Sequence, residues 1–209
     1  GCGNGKQIIQ AHRKLKNTGR IVGIDLSKKS IQDLNKIKKK DKIKNLTLIN
    51  GSMDIIKQYY DSKKIQGKFD LIHSTYAFYY SINFIKVLNF LKNKLTKNGR
   101  LIITFPGGIN TLKDDYLQKS GINKKTLKYD VITLTKQFEE KFKKVKVYKF
   151  TNKLIVTKYR DLIKFTRSTG FYDKNGEILF NKKNKDKFLK NKKYIIKKNS
   201  IMIIGQNVR

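Results

Sequence analysis

The chain has 209 residues and a formal net charge of +34, with 49 lysines and arginines against 15 acids. That length suits one domain, and 38% apolar and 11% aromatic residues are enough for a core. A single cysteine, Cys2, excludes an internal disulfide, a cysteine-based zinc cluster and a three-cysteine iron–sulfur site. No apolar run approaches the ~20 residues of a membrane-spanning helix, and a reducing, cytoplasmic compartment is the expectation.

The charge invites a polyanionic partner, since basic surfaces attract nucleic acid. The excess is almost all lysine, spread from Lys6 to Lys198, with only six arginines. Bidentate recognition of phosphate or bases favours arginine. Asparagine and isoleucine are abundant while proline and tryptophan are scarce, a pattern of compositional bias in an AT-rich genome. Nucleic acid is therefore a possible partner but not the favoured one.

The chain opens on Gly1-Cys2-Gly3-Asn4-Gly5-Lys6. Glycines at alternate positions permit a tight turn and a close approach of backbone to ligand. Residues 6–16 read as a helix with Ile8, Ile9 and Leu15 apolar, and His12 reads as a surface residue. Ile21–Leu26 is a continuous apolar run, hence a buried strand, that ends beside Asp25. Ser27 is a candidate N-cap for a helix over 30–40, with Ile31, Leu34 and Ile37 at helical spacing. Leu46–Ile49 reads as a strand, 53–61 as a short helix, 63–68 as a loop and 69–74 as a strand. Residues 83–95 form an amphipathic helix with Phe84, Val87, Leu88 and Leu91 on one face. A turn over 95–100 leads into a strand over 101–105, closed by Pro106-Gly107-Gly108. Helices are then expected over 110–121, 134–142 and 161–169, with Gly170 as a stop. Edge and buried strands are expected over 145–150 and 200–205, and 182–193 is a solvated helix or loop. Strands that alternate with helices indicate a parallel α/β sheet.

A glycine turn, a helix, then a strand ending in an acid is the layout of a nucleoside-binding βαβ unit. The spacing is neither the dinucleotide fingerprint, whose third glycine would fall where Lys6 stands, nor a Walker loop, since Gln7 follows Lys6. G-x-G-x-G with Asp25 resembles the class I S-adenosylmethionine (SAM)-dependent methyltransferases. Three later segments extend the resemblance: Asn50-Gly51-Ser52-Met53-Asp54 after a strand, Phe69-Asp70-Leu71-Ile72 followed by His73-Ser74-Thr75-Tyr76, and Leu95-Thr96-Lys97-Asn98-Gly99 before Leu101–Phe105. It covers residues 1–110 well and the rest loosely. Residues 160–170 also resemble, over a short span, a helix of methyltransferases acting on small carboxylic acids.

The resemblance implies a Rossmann-like class I methyltransferase fold, with a mostly parallel central sheet flanked by helices. It also implies an apolar strand ahead of the glycines, so the expectation is a chain lacking its first strand. One domain spans 1–209, with 1–108 as the SAM-binding part and 109–209 as the acceptor-pocket or lid part. The implied cofactor residues are Gly1, Gly3, Gly5, Asp25, Leu26, Ser52, Met53, Asp54, His73 and Ser74. Gly1, Gly3 and Gly5 would pass under the cofactor, with a plain strand-to-helix turn as the alternative. Asp25 would take the ribose hydroxyls, or be a solvated strand-end acid. Ser52 stands where many relatives have Asp; it, Met53 and Asp54 share the adenine side, or simply cap the next helix. Cys2 and Asn4 are spacers.

His73 is the best candidate for a general base, because its ordinary pKa lies near neutrality; a packing role is the alternative. Tyr76 and Tyr80 would bind substrate, with Tyr79 beside them; packing beneath a lid is the alternative. No metal-ligand cluster is spaced for use. His-Ser-Thr-Tyr is not the Asn/Asp-Pro-Pro-Tyr/Phe that grips a flipped base, which lowers base methylation. The expected function is methyl transfer to a small-molecule acceptor. The alternatives are an RNA methyltransferase that uses the basic surface, or a degenerate, non-catalytic SAM-binding-type domain. Oligomeric state is open.

Overall fold

The computed structural model describes residues 1–16, 18–110, 131–168 and 193–207. In chain order the elements are α1 (Lys6–Leu15), β1 (Ile21–Asp25), α2 (Lys28–Lys40), β2 (Leu46–Asn50), a 3-10 turn (Met53–Ile55), α3 (Ile56–Asp61), β3 (Phe69–Thr75), a second 3-10 turn (Phe78–Tyr80), α4 (Phe84–Asn93), β4 (Leu95–Asn110), α5 (Val131–Glu139), β5 (Lys144–Val156), α6 (Tyr159–Ser168) and β6 (Tyr194–Gln206).

Two sheets result among the described residues: β1 with β2, and four strands in the order β3-β4-β6-β5. β1 pairs with β2 in parallel from Ile21↔Leu46 to Asp25↔Asn50. β3 also pairs with β4 in parallel, with a register irregularity between Phe69 and Leu71. β6 runs against β4: Asn207 donates to the Gly99 carbonyl, while Gly107 lies against Ser200 and Ile201. The architecture is thus mixed rather than uniformly parallel.

The chain divides into two compact units. One comprises Gly1–Phe105, Ile132–Val147 and Met202–Arg209, the other Pro106–Val131 and Tyr148–Ile201. In the first, Ile31 and Leu34 of α2 are buried with Leu46 and Ile49 of β2. Leu34 is fully enclosed, which stabilises the fold by about 2 kcal/mol. Ser27 caps α2 by accepting from the Ser30 N–H at 3.2 Å, as its sequence position predicts. α4 buries Phe84, Val87, Leu88 and Leu91, and Phe78 meets Phe84 edge to face at 4.8 Å. In the second unit Val156, Tyr194, Ile196 and Ile201 are buried.

Four expectations are corrected. Leu95–Gly99 is not a turn but the start of β4, and Leu95 pairs with Phe69. Pro106-Gly107-Gly108 does not close that strand, which runs on to Asn110. The reason is close packing: a Cβ on Gly107 would stand 3.2 Å from the Ser200 nitrogen, so glycine lets β6 approach. The expected strands over 145–150 and 200–205 are longer, spanning β5 and β6 as given above. His12 is half-buried, not on the surface, with Nδ1 enclosed. Residues 111–121, Gly170 and 182–192 lie outside the described residues.

Candidate active site

The C-terminal ends of β1, β2 and β3 carry the residues that the sequence singled out. At the end of β1, Asp25 is half-buried and its carboxylate is held from two sides. Oδ2 accepts from the Gly3 N–H at 2.7 Å and Oδ1 from the Ser27 N–H at 2.8 Å. β2 is stapled to this end: Asn50 Nδ2 donates to the Asp25 and Leu26 carbonyls, each at 3.0 Å, and the Gly51 N–H donates to the Asp25 carbonyl. Leu26, directly after the acid, is 75% exposed, an uncovered apolar side chain at the rim.

The glycine loop has two kinds of position. A Cβ on Gly5 would come within 2.2 Å of Leu34 Cδ1, and one on Gly1 within 2.1 Å of the Ala77 Cβ. Those two glycines are therefore packing requirements. Gly3 differs: its φ is +51° and a Cβ there would meet nothing within 4 Å. It faces open space beside the Asp25 carboxylate. Cys2, by contrast, is held by its N–H to the Ile24 carbonyl, and burial pushes its thiol up to about 11. Such a thiol is protonated and inert at neutral pH.

After β2, Ser52 accepts from the Asp54 N–H at 3.1 Å and so caps the turn that begins at Met53. Asp54 reaches across to the segment after β3. Its Oδ1 accepts from the Ser81 hydroxyl and from the Asn83 N–H, and its Oδ2 from the Ile82 N–H at 3.2 Å. Burial alone would raise this carboxyl, but the bonds from Ser81, Asn83, Ile82 and Ser52 outweigh it and hold it below its ordinary value.

β3 alternates so that His73 and Thr75 share a face. His73 Nε2 lies 2.7 Å from Thr75 Oγ1, which also accepts from Gln7 Nε2 at 3.3 Å. The imidazole is solvent-accessible, yet partial removal from water by its neighbours lowers its pKa below the ordinary 6.5. Ser74 Oγ, on the opposite face, is enclosed without a hydrogen-bond partner among the described residues. Tyr76 follows with φ +54°, a conformation a bulky side chain rarely takes and one that concentrates at functional sites. Its N–H donates to the Thr104 carbonyl at 2.7 Å. Tyr79 and Tyr80 lie with ring centroids 4.5 Å apart; burial and the Tyr80 hydroxyl raise the Tyr79 phenol, while Tyr80 is 70% exposed.

The structure thus places Gly3, Asp25, Leu26, Ser52, Met53, Asp54, His73, Ser74, Tyr76 and Tyr80 at or just after the ends of β1, β2 and β3, with Gly1 and Gly5 as packing beneath. Sequence reasoning missed Gln7, Asn50, Thr75, Ala77 and Ser81, which hold the site together. Ser81, one residue after the tyrosine run, Thr75, two after His73, and Asn50, at the head of the Gly51-Ser52 segment, carried a positional hint; Gln7 and Ala77 did not. A nucleoside-bearing cofactor fits these residues: an open glycine face, an adjacent carboxylate, an exposed leucine and an orphaned hydroxyl. No group of three or more metal-ligating side chains occurs among the described residues, and no described helix is long and apolar enough to cross a membrane.

The fold is that of a SAM-dependent methyltransferase. The chain matches a family described as a methyltransferase domain over residues 1–208, and it belongs to that family. No curated protein matches the sequence. Among solved structures, a candidate methyltransferase of Bacillus halodurans is similar at 11% identity, with 100% of this chain and 90% of that one covered and a TM-score of 0.63. The phosphoethanolamine N-methyltransferase 2 of Haemonchus contortus, bound to phosphomonomethylethanolamine and S-adenosylhomocysteine, is similar at 14% identity, with 100% and 48% covered and a TM-score of 0.59. The plantazolicin methyltransferase, bound to a triazolic desmethylPZN analogue and S-adenosylhomocysteine, is similar at 16% identity, with 99% of this chain and 75% of that one covered and a TM-score of 0.54.

Proposed function

We propose that the chain transfers a methyl group from SAM to a small-molecule acceptor. The observation that carries this reading is the open face of Gly3 beside the Asp25 carboxylate, at the C-terminal end of the parallel pair β1 and β2. Methyltransferases with bound small ligands among the structural relatives support it. When bound, the cofactor supplies an electrophilic methyl group with a sulfonium leaving group. The protein's work is then binding, orientation and exclusion of water.

Asp25 keeps lone pairs beyond those used by Gly3 and Ser27, and these accept the ribose hydroxyls. Leu26, Ser52 and Met53 border the base. Ser74 Oγ finds its partner in the ligand. His73 takes the acceptor's proton. Its productive tautomer donates Nε2–H to Thr75 Oγ1, which leaves Nδ1 as the basic atom. Tyr76 and Tyr80 wall the acceptor side, and residues 109–209 belong to the acceptor-binding part of one methyltransferase domain. A reducing, cytoplasmic setting suits a chain with one cysteine.

Calorimetric titration of SAM and S-adenosylhomocysteine into the folded protein tests the reading. Micromolar binding of both is expected. No binding to folded protein would sink it. The +34 net charge favours one rival, an RNA acceptor. That rival gains if single-stranded RNA binds with a steep salt dependence.

A further inference from the structure

We infer that Asp54 is a positioning residue that transmits occupancy of the cofactor site to the tyrosine-bearing segment after β3. The inference rests on the cofactor reading above.

A carboxylate offers about four acceptor directions, and all are taken here. Oδ1 accepts from Ser81 Oγ and the Asn83 N–H, and Oδ2 from the Ile82 N–H and, at 3.3 Å, the Ser52 hydroxyl. No direction remains for an adenine amino group, so Asp54 serves the site through its neighbours rather than by touching the ligand. What it holds is specific. Ser81 is 2% exposed, and Ser81, Ile82 and Asn83 are consecutive and lead directly into α4. Asn83, the N-cap of α4, makes no side-chain capping bond of its own. A carboxylate from another loop, 27 to 29 residues away, instead holds the N–H of Asn83 itself and the two residues before it.

One end of this clamp is Ser52-Met53, the base side of the cofactor site. The other end is one residue from Tyr80. A ligand that fixes Ser52 and Met53 therefore fixes Asp54, and with it the turn that carries the acceptor wall. A loop so tied responds to a ligand that it does not touch.

Hydrogen–deuterium exchange with and without saturating S-adenosylhomocysteine tests this, with binding checked by calorimetry. In the wild type the ligand slows exchange at Ile82 and Asn83 by about tenfold. In Asp54→Ala, Asp54→Asn and Ser81→Ala that protection is lost at saturating ligand, most completely in Asp54→Ala. Ser81→Ala changes only the far end of the clamp, so it keeps the test open if Asp54→Ala fails to fold. Undiminished protection in Ser81→Ala and Asp54→Asn would overturn the inference. So would a tenfold or greater loss of affinity in Asp54→Asn, which would make Asp54 a ligand of the cofactor. Ligand binding without protection at Ile82 and Asn83 in the wild type sinks the coupling alone. Absence of binding sinks the cofactor reading first and the coupling with it.

Discussion

The backbone N–H of Gly3 donates to Asp25 Oδ2 at 2.7 Å, across 22 residues of sequence. One carboxylate thereby fixes the glycine loop and presents its remaining lone pairs to the space that Gly3 leaves open. Ser27 completes the arrangement from the other oxygen at 2.8 Å. Under the proposed cofactor reading, loop shape and ligand affinity share one residue.

Asp25→Asn keeps the side-chain volume but loses the charge and one acceptor oxygen. A hydrogen bond to a charged group contributes about 1.5–3 kcal/mol. Affinity for S-adenosylhomocysteine is expected to fall by about 10- to 100-fold, with a folded protein by circular dichroism. Wild-type affinity in Asp25→Asn would remove Asp25 from the ribose site.

Gly3 and Gly5 predict opposite phenotypes for the same substitution. Gly5→Ala drives a Cβ to within 2.2 Å of Leu34 Cδ1, at a φ of +77°. Overpacking a core costs about 1–3 kcal/mol, and the left-handed backbone adds about 1 kcal/mol. A fall in melting temperature is the expected result. Gly3→Ala also carries left-handed strain, about 1 kcal/mol, but meets no atom within 4 Å. It should fold nearly as well as the wild type and bind S-adenosylhomocysteine poorly, because its methyl group occupies the cradle. Calorimetry beside thermal melting separates the two. Equal loss of stability in both variants would make the loop a plain turn.

The two glycines also show what the sequence could carry. Gly1, Gly3, Gly5 and Asp25 are legible because a tight turn and a strand-end acid are local requirements. Their different tasks are not legible, since Leu34 and Ala77 lie far away in the chain and are unremarkable residues. The Asp54–Ser81 and Gln7–Thr75 contacts are tertiary, 27 and 68 residues apart. No periodicity announces them. The length of β4 was hidden for the opposite reason. Pro106-Gly107-Gly108 is a strong local stop signal, and packing against β6 overrides it.

Asp54 makes acid stability a readout of the clamp. Its folded pKa lies below the ordinary 3.8. The stabilisation it provides is therefore complete above 3.8 and is lost as pH falls through the lower folded value. Denaturant unfolding at pH ~6 should show Asp54→Asn less stable than the wild type by about 2 kcal/mol. At pH ~2 the gap should have narrowed. A gap that does not change with pH would mean the carboxylate charge contributes nothing to the turn over 81–83.

His73 gives the last prediction, because two observables report on one ring. Its pKa lies below 6.5, so the neutral base persists into mildly acidic solution. A histidine with a depressed folded value also loses folding stability as pH falls from 6.5 toward that value, since the unfolded chain takes up the proton first. The ring resonances should titrate with a midpoint below 6.5 by nuclear magnetic resonance. Nitrogen-15 shifts should show the proton on Nε2, facing Thr75 Oγ1 at 2.7 Å. Thr75→Val removes that acceptor and should leave a mixture of tautomers, while Thr75→Ser restores the single one. Once an acceptor is in hand, methyl transfer in Thr75→Val should drop by about 10²-fold, the scale of a misplaced base. A wild-type ring with its proton on Nδ1 would occupy the atom assigned to proton transfer and remove His73 from that role.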